Sequence, residues 1–230
     1  MKVGVECLWT IRERDRETGQ IVTERQIKNV WTAFGLTALA SAIGAAYTPP
    51  LYLVIESNYA LLQLAYPSAG ATTILTDIRI DGATDTQIVL SPGLATQEVV
   101  TFSGVTGTGP YTYTLSTPTV NAHSLSDPVC RQVYTGDDMT TVVNEIQYDS
   151  VNFAGLRAVS PGGYSGGIGN WTIQFYLTGT SALAYLMICG ISDSNTIGAG
   201  NLHNHFILGY NHISATNDIE IDGSLTLSNI

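Results

Sequence analysis

Val3, Val5, Cys7, Trp9 and Ile11 alternate with Gly4, Glu6, Leu8 and Thr10. A period of two places this apolar row on one face of a strand. A strand half-buried in this way commits the chain to a layered β architecture, because its apolar face needs a second layer to cover it. Asp15 to Gln20 supplies turn residues, and Ile21 to Val30 returns with Glu24, Gln26 and Lys28 on the polar side. The opening of the chain therefore reads as a β-hairpin with a charged tip.

One stretch breaks the pattern. Asn29 or Thr32 can cap a helix that runs through Trp31, Phe34, Leu36, Leu39, Ala40 and Ile43, with Gly44 as a stop and Pro49-Pro50 forbidding continuation. Its apolar residues lie nearly all round, which predicts burial against a sheet or a neighbouring subunit. Leu51 to Ile55 then reads as a central strand. From Ala71 the texture changes to short strands: Thr73–Ile78, Gln87–Leu90, Glu98–Phe102 and Tyr111–Leu115, with Pro92-Gly93 and the glycine-rich Gly104–Pro110 as turns. This spacing predicts a small β module. Strand signals resume at Asn144–Val151, Ala154–Val159, Trp171–Leu177, Ala182–Ile191, His203–His212 and Ile219–Leu227. The predicted fold is mainly β: a β-sandwich with one buried helix, formed by 1–70 plus 134–230, carrying an inserted small β module at 71–133.

Charged residues make up 12% of the chain and the net charge is −10. An acidic chain is a poor partner for nucleic acid or an anionic membrane. Six of the nine basic residues (Lys2, Arg12, Arg14, Arg16, Arg25 and Lys28) fall in the opening hairpin. There they alternate with Glu13, Asp15 and Glu17, as a solvated hairpin does and a phosphate track does not. A folded surface with so few charges is covered by Thr, Ser, Asn, Gly and Tyr, a composition suited to packing against other proteins. Cys7, Cys130 and Cys189 are odd in number and widely spaced, so they read as buried small hydrophobes in a reducing compartment. The amino terminus carries no apolar signal core, and no uncharged apolar run reaches membrane-spanning length.

Three of the four histidines, His203, His205 and His212, lie close together. Asn201, His203 and His205 fall on one face of a strand, with Leu202 and Asn204 on the other. Two imidazoles on one face could reach a single metal ion, but two ligands do not close a structural site. The plainer reading is a polar, hydrogen-bonded strand face, so no metal or cofactor is assigned. No catalytic residue is assigned either. Gly163-Tyr164-Ser165-Gly166-Gly167 lacks the spacing of a nucleophile elbow. Asp137-Asp138 reads as a solvated turn, and the glycine-rich loop from Ser160 lacks the Lys-Ser/Thr partner and the helix of a phosphate cradle.

Three stretches, in order, resemble the virion structural proteins of tailed bacteriophages. Ile27-Lys28-Asn29-Val30 running into Gly35-Leu36-Thr37-Ala38-Leu39-Ala40 is similar to the N…G-L-x-A-L-A opening of many tail-fibre and minor structural proteins. Glu98-Val99-Val100, Gly107-Thr108-Gly109, Tyr111–Leu115 and His123–Val129 resemble a small β module of such proteins, although Asp127 stands where glycine is commoner. Thr178-Gly179-Thr180, Gly190–Asp193 and Gly200–His205 resemble their closing half. The resemblance implies a non-enzymatic virion component, made in the host cytoplasm and assembled with other virion proteins and with itself, for instance as a trimer. A tail-associated role (fibre, baseplate or adaptor) is the first expectation and a capsid cement or decoration protein the second. A carbohydrate-binding receptor reader is the rival from another class, in which Tyr47, Tyr52, Tyr59, Tyr66, Tyr111 and Tyr113 would stack on a host surface glycan. His203 and His205 are also similar to the G-x-H-x-H iron sites near the axis of some phage fibres, with a departure in spacing.

Overall fold

The computed structural model describes residues 3–28, 30–42, 52–81, 85–133, 145, 158–159, 170–177, 185–211 and 216–229. Asp137-Asp138, the Gly163–Gly167 loop, the Asn144–Val151 strand candidate, Tyr47 and His212 lie outside the described residues, Glu145 apart. The described chain is mainly β, with a single helix, α1 (Ala33–Ala42). No helix among the described residues is long and apolar enough to cross a membrane.

Two sheets form a sandwich. The first is four-stranded: β12 (Asn170–Leu177), β15 (Asn217–Asn229), β1 (Val3–Asp15) and β2 (Ile21–Lys28), in that order. The second is five-stranded: β11 (Ala158–Val159), β4 (Tyr52–Glu56), β13 (Tyr185–Ser192), β14 (Leu202–Asn211) and β3 (Val30–Trp31). The alternation of β1 does what its period requires. Cys7, Trp9 and Ile11 face inward beside Ile219 and Ile221 and meet Leu53, Ile55, Cys189, Ile191, Phe206 and Leu208 of the second sheet in one core. Trp9 stacks on Phe206 at a centroid distance of 4.9 Å.

The outer face of the same sheet holds the basic cluster. Arg12 reaches Glu24 at 2.5 Å and Glu220 at 2.6 Å and also pairs with Asp222. Arg14 reaches Glu220 at 2.6 Å, and Arg16 reaches Asp218 at 2.6 Å. The sign alternation is thus satisfied across strands, by β2 and β15, as well as by solvent. Burial would raise the Glu220 carboxyl, but hydrogen bonds from Arg14 and Arg12 outweigh it and hold it below the usual carboxylate range.

Thr32 starts α1. Its Oγ1 accepts the Gly35 N–H at 2.9 Å and donates to the Leu202 carbonyl at 2.6 Å, while its own N–H donates to the His203 carbonyl at 3.2 Å. One residue therefore caps the helix and takes over the edge of β14 where β3 ends. Gly35 permits this approach, since a Cβ there would lie 1.9 Å from the His203 oxygen. The helix is buried through Gly35 and Leu39, while Phe34 and Leu36 stay 40% and 38% exposed.

The third sheet is six-stranded, in the order β5 (Ala60–Leu61), β10 (Pro128–Arg131), β7 (Gln87–Leu90), β8 (Glu98–Thr106), β9 (Tyr111–Leu115) and β6 (Thr73–Thr76). Its ends meet. Leu62 bridges Thr76, the Gln63 N–H donates to Leu75 O at 2.9 Å, and the Asp77 N–H donates to Leu61 O at 3.2 Å. The sheet is a closed barrel around Leu62, Ile74, Ile88, Leu90, Val100, Phe102, Tyr113, Leu115 and Val129. The barrel takes up residues before the expected boundary at 71, because Leu62 and Tyr66 supply closing bridges to Thr76 and His123.

The barrel shares a core with the sandwich. Val89, Cys130 and Val133 pack against Met187 and Ile188 of β13, with Tyr59 and Ile207 alongside. Beside them Arg131 Nε lies 3.7 Å from the fully buried Glu56 carboxylate. The turn at Pro92-Gly93 meets β14 backbone to backbone: a Cβ on Gly93 would lie 1.5 Å from the Gly209 oxygen.

Candidate functional site

The histidines of β14 were the candidates from sequence, and the structure buries them. Strand pairing shifts at the end of β13, where Ile191 faces Asn204 but Ser192 faces Leu202, so His203 is the extra residue of a bulge. The expected alternation fails at this point. Leu202 packs with Val54 and shares its side of the sheet with His205: a Cβ on Gly190 would lie 3.0 Å from Leu202 Cδ2 and 3.3 Å from His205 Cβ. His205 is fully buried. His203 is 2% exposed, and its ring meets Phe34 edge-on at 5.0 Å. Its Nε2 lies 4.0 Å from Asp193 Oδ2. Asp193 is fixed by Asn201, whose N–H donates to Oδ1 at 2.7 Å and whose side-chain amide donates to Oδ2 at 3.0 Å. Among the described residues no group of three or more His, Cys, Asp or Glu side chains is placed to hold a metal ion.

Burial disfavours the imidazolium of His203 more than Asp193 favours it, and its pKa falls from 6.5 to about 4. The sign follows from proton counting. Between these values the unfolded chain binds a proton that the folded chain does not, so stability rises with pH. His203 therefore contributes a loss of up to about 3 kcal/mol as pH falls from 6.5 to about 4. We expect His203→Asn to flatten that part of the curve, read by urea unfolding at several pH values. An unchanged slope in the variant would show that the imidazole is not held neutral.

A second cluster lies at one end of the barrel, on residues that sequence reasoning did not single out as a site. Ser91 follows β7, Glu98 opens β8, and His123 and Asp127 precede β10. The fully buried Ser91 hydroxyl lies 2.8 Å from His123 Nδ1 and 2.7 Å from Asp127 Oδ2. His123 Nε2 lies 2.6 Å from Glu98 Oε1. Glu98 also accepts the N–H groups of Val120 at 2.9 Å and Asn121 at 3.1 Å. Burial would raise the Glu98 carboxyl, but the bonds from Val120, His123 and Asn121 hold it below the usual range. A serine, a histidine and a carboxylate within reach of one another are the parts of an activated nucleophile. Here the hydroxyl has no exposure to meet a substrate, and a second carboxylate competes for its proton. As placed, the cluster ties the Ser91–Gln97 and Val120–Asp127 loops together. Sequence reading could not assemble it from residues scattered between Ser91 and Asp127. The signal within reach was His123 itself, a histidine ending an otherwise apolar and Thr-rich module.

Two of the candidate stacking tyrosines, Tyr66 and Tyr113, use their hydroxyls inside the fold. Tyr113 is buried, and its hydroxyl donates to Asp81 at 2.6 Å and accepts the Ile80 N–H at 3.2 Å. Burial, then the bond to Asp81, pushes that hydroxyl's pKa up. The Tyr66 hydroxyl accepts the Leu75 N–H at 2.8 Å. Tyr52, Tyr59 and Tyr111 are half-buried. All three cysteines are buried thiols outside any disulfide. Burial pushes Cys7 up to about 12, and it raises Cys130 and Cys189 as well. Such thiols act as small hydrophobes.

No family model, curated protein or solved structure matches the chain.

Proposed function

We propose that the chain is a non-enzymatic structural subunit of a tailed-phage particle, tail-associated, working by protein–protein assembly and as a symmetric homo-oligomer. The observation that carries this reading is apolar surface. Phe34 and Leu36 on α1 and Leu94, Val120 and Leu125 on the barrel loops are 38–72% exposed. Several large apolar residues left exposed on a chain with so few charges fit contact with protein better than a solvated life. The order of the three sequence stretches adds to the reading: their described residues fall on the hairpin and helix, on the barrel, and on β13, β14 and the loop between them. A glycan reader finds less support, because Tyr66 and Tyr113 use their hydroxyls internally.

The test is a cryo-electron map of the source particle together with sedimentation of the purified chain. Density for repeated copies at the tail supports the proposal, and density on the capsid shell favours a decoration protein. A chain that is absent from the particle and monomeric at high concentration overturns it.

A further inference from the structure

The connections that follow β5, β7 and β9 all leave the barrel at one end. Every neighbouring pair in that sheet is antiparallel, so β5, β7 and β9 run one way and β10, β8 and β6 the other. Each of the three connections holds large apolar side chains in water: Leu64 is 53% exposed, Leu94 49%, Val120 72% and Leu125 59%. The connections are also fastened to one another. Tyr66 and His123 exchange backbone bonds at 2.8 Å, and the Ser126 N–H donates to Leu62 O at 2.9 Å, with Leu64 and Leu125 between those rungs. The Gly70 N–H donates to Thr119 O at 2.8 Å, and the Asn121 side-chain amide to Thr96 O at 3.3 Å. Four apolar side chains thus stand on one preformed surface.

The same end is nearly free of charge. Residues 62–72, 91–97 and 116–127 contain no Lys, Arg or Glu, and their only Asp is Asp127. Asp127 Oδ2 accepts the Ser124 N–H at 2.9 Å and the Ser91 hydroxyl at 2.7 Å. Glu98, at the start of β8, accepts the Val120 and Asn121 N–H groups, and its side chain is 8% exposed. The opposite end carries Asp77, Arg79, Asp81 and Asp85 between β6 and β7.

This pattern selects the partner. An anionic partner finds no cation here, and a basic one finds only carboxylates already bonded within the fold. What fits is an apolar, uncharged protein surface, and the identical end of another copy is such a surface. A net charge of −10 sets two copies against each other in general, but this end brings almost none of that charge into contact.

We propose that this end of the barrel is an isologous contact, in which the Leu64, Leu94, Val120 and Leu125 surface of one copy packs on the same surface of a second copy, within the homo-oligomer proposed above and dependent on that reading. The loops are already held by their mutual bonds, so docking has little ordering entropy to overcome.

Sedimentation equilibrium of the full chain over a range of concentrations tests this. The unaltered chain should self-associate. Val120→Lys combined with Leu125→Lys should weaken association about a hundredfold, because two ammonium groups would be buried without partners. Lysine makes the chain less acidic, so general repulsion between copies falls and cannot explain the loss. Gln20→Lys, on the exposed hairpin tip, is the control and should leave association unchanged. A second readout needs no variant: the methyl signals of Leu64, Leu94, Val120 and Leu125 should shift with concentration, while those of the buried Leu62 and Leu90 stay in place. If the double variant associates as tightly as the unaltered chain, this face is not the contact, and the homo-oligomer stands on another surface. If the unaltered chain stays monomeric with those methyl signals unmoved, no second copy docks here. The proposal is then overturned, and the particle map decides the structural role separately.

Discussion

Replacing Trp9 by alanine should cost about 3–5 kcal/mol, the range for deleting a buried tryptophan, and should lower the cooperativity of unfolding across both sheets of the sandwich. Trp9 has no exposed surface, stacks on Phe206 and belongs to the core that joins the two sheets. Its strand neighbour across β15 is Gly223, and a Cβ there would lie 2.7 Å from the indole ring. The ring is therefore seated in a space that a glycine leaves open. Gly223→Ala alone should destabilise by about 1–3 kcal/mol through overpacking. Combined with Trp9→Phe, whose smaller ring vacates part of that space, the alanine should cost less than it does alone. Denaturant unfolding of the four proteins in the cycle measures the coupling. Strict additivity would show that the ring yields freely and that Gly223 is there for another reason.

What could be read from the sequence divides along the same lines as the physics. The inward row of β1 was legible because a period of two is local, and Cys7, Trp9 and Ile11 obey it. Thr32 was legible as a cap because capping depends on a residue three positions on. The barrel was legible as a group of short strands, but its closure was not, since it depends on Leu62 meeting Thr76 across the fold. The face of Leu202 was misread for a related reason. The bulge that turns it is set by how β13 and β14 pair, and alternation along one strand cannot show an inserted residue. The helix was expected to be buried, and one flank is; the apolar flank at Phe34 and Leu36 is covered by no described element of the chain. Burial of the histidines escaped the sequence as well. A polar face and a covered polar face have the same residues, and the cover over His203 comes from Phe34, far back in the chain.

Gly93→Ala should undock the barrel while leaving the barrel's own core intact. Two effects add at this position. The residue has φ +81°, which an alanine adopts with strain, and its Cβ would fall 1.5 Å from the Gly209 carbonyl oxygen. The obstacle is backbone of β14, so it cannot rotate aside as a side chain would. The turn must lift, and lifting it separates Val89 and Cys130 from Met187 and Ile188. It also exposes the Glu56 carboxylate beside Arg131, which releases some of the cost of burying that charge. The net loss should be about 3 kcal/mol, at the upper end of ordinary overpacking. The barrel's own core around Tyr113 and Phe102 does not touch Gly93 and should keep its protection from hydrogen exchange, whereas β13 and Gly209 should lose theirs. Gly104→Ala is the matched control, because a Cβ there meets nothing within 4 Å, and it should change stability by no more than about 0.5 kcal/mol. If Gly93→Ala unfolds barrel and sandwich in one step, the two are a single cooperative unit and no linker replacement of the barrel would leave a folded sandwich. If β13 keeps its protection, the contact at Gly209 is not what holds the barrel in place.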